Sequence, residues 1–447
     1  MTTELHANRP ATATATAEPA AGYATLTPES APRGHAWTYA GLWLFTALLI
    51  FRPADSFPAL ASVARISFGV ALLTLIVFCV TQITLEGRLT ARPREVNLVL
   101  LLCAAALISI VTGINPTNSQ QMFFDVFIKH VLMFLVMVNA VRTEKRLRGL
   151  FYLTLAAGTF LGYNAINAFR SGVFSDEGYR VRGTLGGTLN DPNDTALFLV
   201  TMIPIAIALF LSIRPKLPRV LLALATLVMT AAVFVTYSRG GFLALALASA
   251  VLLWKIGRRA PLPTAGFAVV AAMLLAVSLP PNYLLRLASI TDASRDTRGS
   301  ATSRTRLLNR SVEVALQNPV FGVGMNNFSQ VSINGYVSHN AYTQVAAEMG
   351  LPALAIYLGF ILVPLARLRR IERETRALSR THEGYKRVHF LAIGLQASLL
   401  GFMVGSFFLS VAYYWFIYYL VGYAVCVGRL YETGPGRIVG SYEIAPA

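Results

Sequence analysis

One of the six histidines in the chain, His339, lies in a run of residue types that suits proton transfer. The run is Ser338-His339-Asn340-Ala341-Tyr342, and an apolar segment begins shortly after it. Because a neutral imidazole near pH 7 can accept a proton from an attacking hydroxyl, His339 is a candidate general base. The alternative interpretation is a histidine at a membrane interface that caps a helix or contacts lipid headgroups.

Arginines form the second group with chemical potential. Arg180 and Arg182 precede a glycine-rich run at 183–187, Arg306 lies in a long polar stretch, and Arg239 stands in a tight turn between two apolar segments. A guanidinium pairs with two phosphate oxygens at once and stays charged when partly desolvated, so these residues suit a phosphate-rich ligand. Contact with lipid headgroups is the alternative for all of them except Arg239, where a charge between spans favours function.

Asparagines accompany the first of these arginine groups. The run Asn190-Asp191-Pro192-Asn193 precedes an apolar segment and predicts a helix start, with Asn190 or Asp191 as the cap. The N-terminus of a helix attracts anions, so we expect Asn190 and Asn193 near the same ligand.

The sequence lacks the motifs of several other kinds of site. Its polar loops hold no Asp-x-Asp pair, no His/Cys cluster and no H-E-x-x-H motif, and the chain has no P-loop. We therefore expect no metal, no cofactor and no use of ATP. The three cysteines, Cys79, Cys103 and Cys426, lie within apolar stretches without metal-like spacing and are interpreted as packing residues.

The composition shows what kind of protein must position these residues. The 447 residues are 55% hydrophobic and only 13% charged, whereas a soluble domain is about a quarter charged. The net charge of +17 would suit a nucleic-acid partner, but the basic residues fall in short loops between apolar segments. Their placement is better explained by orientation in a membrane, and we expect no nucleic acid.

Apolar segments near the length of a membrane-spanning helix follow one another along most of the chain. We predict spans at 37–52, 59–82, 96–113, 122–140, 149–168, 193–212, 218–237, 241–256, 264–281, 348–366, 389–408 and 411–428. The fold class is therefore an all-α polytopic membrane protein of about 12 transmembrane helices, with a large periplasmic loop that contains an amphipathic helix. The predicted organisation is a disordered cytoplasmic tail at 1–36, helices 1–9 over 37–281 with a periplasmic loop at 169–192, the large periplasmic loop at 282–347, helices 10–12 over 348–428 and a cytoplasmic tail at 429–447.

Loop charges give the orientation. Basic residues fill alternate short loops, which places both termini in the cytoplasm by the positive-inside rule. The segments 169–192 and 282–347 are basic but lie on the opposite side, so their arginines do not set the topology. In the second of them, Leu308, Val312 and Leu316 recur every four residues and predict an amphipathic helix over the membrane surface, ended by Asn318-Pro319.

Four motifs, in this order along the chain, resemble those of the O-antigen ligase and O-antigen polymerase superfamily of bacterial membrane glycosyltransferases. They are Arg182-Gly183 with Asn190-Asp191-Pro192-Asn193, then Ser238-Arg239-Gly240-Gly241, then Asn318-Pro319-Val320-Phe321-Gly322-Val323-Gly324, and then His339-Asn340-Ala341-Tyr342 with Glu348-Met349-Gly350-Leu351-Pro352. The resemblance covers roughly residues 40–430.

The resemblance implies a multi-pass protein of the bacterial inner membrane whose active site faces the periplasm. It implies transfer of a glycan from an undecaprenyl-diphosphate-linked donor to a hydroxyl of a glycolipid or glycan acceptor, with inversion and without a metal. Carried over to this sequence, Arg182 and Arg239 hold the diphosphate and His339 activates the acceptor, as the catalytic residues. Substrate binding is expected from Arg180, Asn190, Asn193, Asn340, Tyr342 and Arg306.

Two alternatives remain open. A polysaccharide polymerase of the same superfamily would keep the same arginines and histidine, so these residues do not separate it from a ligase. A flippase or transporter of lipid-linked sugars belongs to a different class and would be expected to place several charges along the membrane interior. The notable charges here concentrate in the outer loops, which favours the enzyme.

Overall fold

The computed structural model describes residues 34–52, 63–174, 180–181, 187–257 and 300–433 of the chain. Within these ranges the regular elements are all helical. The long helices are α1 (Ala36–Phe51), α2 (Val63–Glu86), α3 (Arg94–Thr112), α4 (Pro116–Ala140), α5 (Glu144–Arg170), α6 (Pro192–Ser212), α7 (Lys216–Val235), α8 (Arg239–Gly257), α9 (Ser300–Gln317), α10 (Ala341–Thr375), α11 (Glu383–Ser406) and α12 (Trp415–Thr433).

Nine helices in the described part of the chain are long and apolar enough to cross a membrane, namely α2–α8, α10 and α11. Each predicted span except 264–281, which lies outside the described residues, overlaps one of the twelve helices. The protein is therefore a polytopic helical membrane protein, while a count of twelve spans stays a prediction. Most of each predicted tail, residues 1–33 and residues 434–447, also lies outside the described residues.

The bundle is built around α6, whose side chains are buried along most of its length. It packs against α7, α8 and α11. The approach to α11 is close because Gly394 has no side chain: a Cβ there would lie 2.6 Å from the Cβ of Ala208 and 2.7 Å from the carbonyl oxygen of Pro204. Small residues at a helix crossing are the usual way in which membrane helices gain packing contacts.

The helix α9 lies against the first turns of α10. Its buried residues are Leu307, Ser311, Val314 and Ala315, whereas Leu316 on the predicted apolar row is 67% exposed. The amphipathic helix is thus confirmed, and it ends before Asn318-Pro319 as expected. The side that packs on α10 is made by these four residues, which lie beside the predicted apolar row.

Two of the glycine-containing motifs pack directly on each other where α9 meets α10. Leu351 donates its backbone N–H to the carbonyl oxygen of Pro319 at 2.8 Å, and Val323 donates to Ala347 at 2.9 Å. Gly350 has a φ of +87°, and a Cβ at this position would lie 2.2 Å from the carbonyl oxygen of Val320. Only glycine combines this backbone angle with so close an approach, so these motifs fix α9 against α10.

Candidate functional site

A pocket of about 220 Å³ opens at the end of the bundle where α8 and α10 begin. Four parts of the chain meet there: the first turns of α8, the first half of α9, the residues before α10 and the turn after α11. The lining residues are Arg239, Leu243, Arg304, Thr305, Leu308, Ser338, His339, Asn340, Phe407 and Phe408. The pocket brings together the predicted general base, one predicted phosphate-binding arginine and a second arginine, Arg304.

Arg239 is the first residue of α8, and its position depends on the turn before it. Ser238 accepts the backbone N–H of Gly241 on its hydroxyl at 3.1 Å, which caps the helix, and donates its own proton to Asn193 Oδ1 at 2.8 Å. Tyr237 adopts a left-handed backbone with φ of 52° to make the turn tight. Asn193 thereby ties the start of α8 to the start of α6.

Arg304 reaches the pocket from α9. The helix is held in register on α10 by Ser311, which is fully buried and donates its hydroxyl proton to Thr343 Oγ1 at 2.8 Å. Leu308, one turn after Arg304, also lines the pocket. The same helix thus supplies both a cation and part of the apolar wall, which Leu243, Phe407 and Phe408 complete.

His339 is half-buried and has an unusual backbone conformation. Its φ is 52°, in the left-handed region that residues other than glycine rarely adopt. Its backbone N–H is bound by Ser410 Oγ at 2.9 Å, and Ser410 lies in turn 3.3 Å from Ser338 Oγ. A residue from the turn between α11 and α12 therefore helps to hold the histidine in place.

The charge state of His339 suits a base. Burial lowers the pKa of the imidazole, and the positive charge of Arg304 lowers it further, whereas the carboxylate of Asp191 raises it. The net effect keeps the ring neutral at pH 7, where it can accept a proton. Asp191 itself caps α6, because its Oδ1 accepts the backbone N–H of Asn193 at 2.7 Å.

The remaining predicted site residues lie at different distances from this pocket. Asn340 lines it, whereas Arg180 is buried and donates to Thr236 O at 3.1 Å and to Asn193 Oδ1 at 2.8 Å, which supports the turn before Arg239. Tyr342 donates to Met403 O at 2.8 Å and joins α10 to α11. Neither Arg180 nor Tyr342 is among the residues that line the pocket.

Three further predicted residues are also not among those that line the pocket. Asn190 ends a short 3-10 turn, Gly187–Asn190, and is exposed, while Asp191 serves as the helix cap. Arg306 lies on α9 and is exposed. Arg182 lies outside the described residues.

Sequence reasoning did not single out Arg304, Ser410 or the two phenylalanines. Arg304 is one of several arginines in the same segment, and the sequence offers no feature that distinguishes it from Arg306. The packing of α9 on α10 decides which of the two lines the pocket. Ser410, Phe407 and Phe408 lie in a turn more than sixty residues after His339, with no motif that links them. Such long-range pairings leave no pattern that periodicity can detect.

Comparison with protein families gives a match over the middle of the chain. Residues 224–358 match the family model described as O-antigen ligase, a range that runs from α7 into α10 and includes Arg239, Arg304 and His339. No curated protein matches the chain. The match supports the resemblance to the O-antigen ligase and polymerase superfamily over residues 224–358, and the nine long apolar helices of the described residues are those of a multi-pass membrane protein.

Proposed function

We propose that this protein transfers a glycan from an undecaprenyl-diphosphate donor to a hydroxyl of a lipid A–core or similar acceptor, on the periplasmic face of the bacterial inner membrane. The observation that carries the proposal is the convergence of Arg239, Arg304 and His339 on one pocket, all three from the residues that match the O-antigen ligase family. Two cations and a neutral imidazole are the groups that a glycosyl diphosphate and an acceptor hydroxyl need.

The two arginines act on the leaving group. As the bond between the anomeric carbon and the phosphate oxygen breaks, negative charge grows on the lipid diphosphate. Guanidinium groups placed where charge develops stabilise the transition state more than the ground state, and one such donor is worth about 10²–10³ in rate. Arg239, fixed at the start of α8, and Arg304, fixed by the packing of α9, serve this purpose without a metal.

His339 acts on the acceptor. The acceptor oxygen attacks the anomeric carbon while its proton passes to the imidazole, and the electron pair of the broken bond goes to the diphosphate. A single displacement of this kind inverts the anomeric configuration. A positioned general base contributes about 10²–10⁴ in rate, and alignment of two lipid-anchored substrates contributes further by proximity.

The apolar wall suits a lipid donor. Leu243 lies one turn along α8 from Arg239, and Phe407 and Phe408 face the same pocket. A prenyl chain leaving the diphosphate can run over these side chains toward the membrane-spanning part of α8. Because lipid tails are as apolar as these side chains, the contacts would orient the prenyl chain by packing and not by a hydrophobic gain.

Deletion of the gene followed by analysis of the surface glycans tests the proposal. Loss of capped lipopolysaccharide, together with accumulation of free lipid-linked polymer, is the expected result for a ligase. Loss of chain length with single repeat units still attached would instead identify a polymerase. Unchanged glycans on both lipopolysaccharide and lipid carriers would contradict glycan transfer altogether.

A further inference from the structure

Asn340 has one buried polar atom without a hydrogen-bond partner among the described residues. Its Oδ1 accepts the backbone N–H groups of Tyr342 at 2.9 Å and Thr343 at 3.0 Å, which caps α10. Its backbone N–H and carbonyl both pair with the hydroxyl of Ser338, at 3.3 and 2.9 Å. Its Nδ2 alone has no hydrogen-bond partner among the described residues, although the residue is only 2% exposed.

The cap also fixes which way the amide points. An asparagine whose oxygen and nitrogen are interchanged would place NH₂ against two backbone N–H donors, so the orientation is unambiguous. A buried donor without a partner costs about 1–3 kcal/mol. Aspartate and serine cap helices about as well as asparagine, and neither carries an amide NH₂ group, so the amide is not needed for the cap.

Asn340 follows His339 in the chain, and both residues line the same pocket. A hydroxyl that gives its proton to the imidazole still has lone pairs that can accept a hydrogen bond. We propose that Asn340 Nδ2 donates to the acceptor hydroxyl oxygen and aims one lone pair at the donor sugar. The proposal rests on the glycan transfer proposed above and assigns the ligand of this subsite as a hydroxyl group of the acceptor glycan.

His339 and Asn340 then act on the same acceptor oxygen, one as proton acceptor and the other as hydrogen-bond donor. The acceptor O–H bond breaks and its proton moves to His339, a new bond forms between that oxygen and the anomeric carbon, and the bond to the diphosphate breaks with its electron pair. Asn340 gains and loses no proton. It holds the oxygen in place through the displacement, and alignment of this kind is a large part of enzymatic rate enhancement.

An internal water molecule is the competing occupant. Gln344 lies one helical turn further along α10, is 6% exposed, and its Oε1 also has no hydrogen-bond partner among the described residues. A water between Asn340 Nδ2 and Gln344 Oε1 would satisfy both atoms. Such a water would serve stability only, beside the hydrogen bond that the Gln344 side chain makes to Glu348.

The test uses two variants that keep the cap. Asn340→Asp and Asn340→Ser should melt close to the wild-type temperature, yet kcat/KM for the acceptor should fall roughly ten-fold or more. Donor affinity should be unchanged in the neutral Asn340→Ser, whereas the carboxylate of Asn340→Asp should also repel the donor diphosphate. Gln344→Met should leave kcat/KM for the acceptor unchanged. Asn115→Ser is the matched control, because Asn115 caps a helix turn at Pro116 through the same kind of bond, away from the pocket.

The outcomes separate the possibilities. Wild-type acceptor kinetics in both Asn340 variants would overturn the subsite. Lower melting temperatures of both Asn340→Ser and Gln344→Met with unchanged kinetics, the result expected for a bridging water, would overturn it as well. A wild-type protein that transfers no glycan to any hydroxyl acceptor would refute the proposed function instead, before the variants are compared.

Discussion

The backbone N–H of His339 is hydrogen-bonded to the side chain of Ser410, with an N···O distance of 2.9 Å. The bond joins the segment before α10 to the turn between α11 and α12. That turn is anchored a second time, because Tyr413 donates its hydroxyl proton to Glu348 Oε2 on α10 at 2.7 Å. The left-handed backbone of His339, with φ of 52°, is thus supported by an element far away in sequence.

Removal of the Ser410 hydroxyl should misplace the base. We expect Ser410→Ala to lower kcat by about ten-fold without a change in donor affinity, and Ser410→Thr, which keeps the hydroxyl, to restore most of the activity. The measurement is steady-state transfer alongside donor binding. Ser398→Ala is the control, since Ser398 donates to Thr201 O at 2.6 Å within the helix bundle and its loss should cost stability only.

The pH dependence of transfer should report the two charges near His339. Because burial and Arg304 lower the pKa of the imidazole, activity should be lost only as the pH falls below about 6.5. Arg304→Gln removes a positive charge, so the midpoint of this loss should rise. Asp191→Asn removes a negative charge and keeps the helix cap, so the midpoint should fall further. If the pH midpoint of kcat/KM moved in the same direction in Arg304→Gln and Asp191→Asn, these two charges would not set the pKa of His339.

Arg304 and Arg306 lie two residues apart on α9 and differ in whether they reach the pocket. Donor affinity should therefore fall much more in Arg304→Gln than in Arg306→Gln, by an order of magnitude or more if the bond to phosphate is bidentate. Binding of a fluorescent lipid-diphosphate analogue to protein in nanodiscs measures both. A larger effect of Arg306→Gln would show that the other face of α9 meets the donor.

Gly350 should tolerate no side chain. Its φ of +87° strains any other residue by about 1–3 kcal/mol, and the contact with Val320 O forces a further shift of the backbone. We expect Gly350→Ala to lower the melting temperature in detergent and to detach α9, with loss of activity. Gly69→Ala is the control, because a Cβ at Gly69 meets nothing within 4 Å. Equal melting temperatures of these two variants would contradict the packing described.

Much of the fold could be predicted from hydropathy, since a membrane-spanning helix must be apolar over its whole length. The ends of the helices were less predictable. α10 continues to Thr375 although the apolar segment stops near residue 366, because arginine and glutamate are good helix formers outside the hydrocarbon region. The side of α9 that packs on α10 could not be predicted, because Ser311, a polar residue, lies at its centre with a partner 32 residues away.

The candidate site was predictable where chemistry made a residue conspicuous. His339 is the one histidine beside a predicted outer-face span, and Arg239 stands between two spans, so residue type and position were enough to select both. Arg304 and Ser410 required the packing of α9 and the path of the turn after α11. Those depend on contacts between segments that a single sequence does not pair.

Transfer by His339→Ala is the most direct measurement of the central claim. Purified wild-type protein and variant in nanodiscs would be given a labelled undecaprenyl-diphosphate glycan and an acceptor, and glycosylated product and donor affinity would be measured together. The account predicts donor affinity close to that of the wild type with transfer reduced by at least about 10². Transfer by the variant at the wild-type rate would contradict the assignment of His339 as the base.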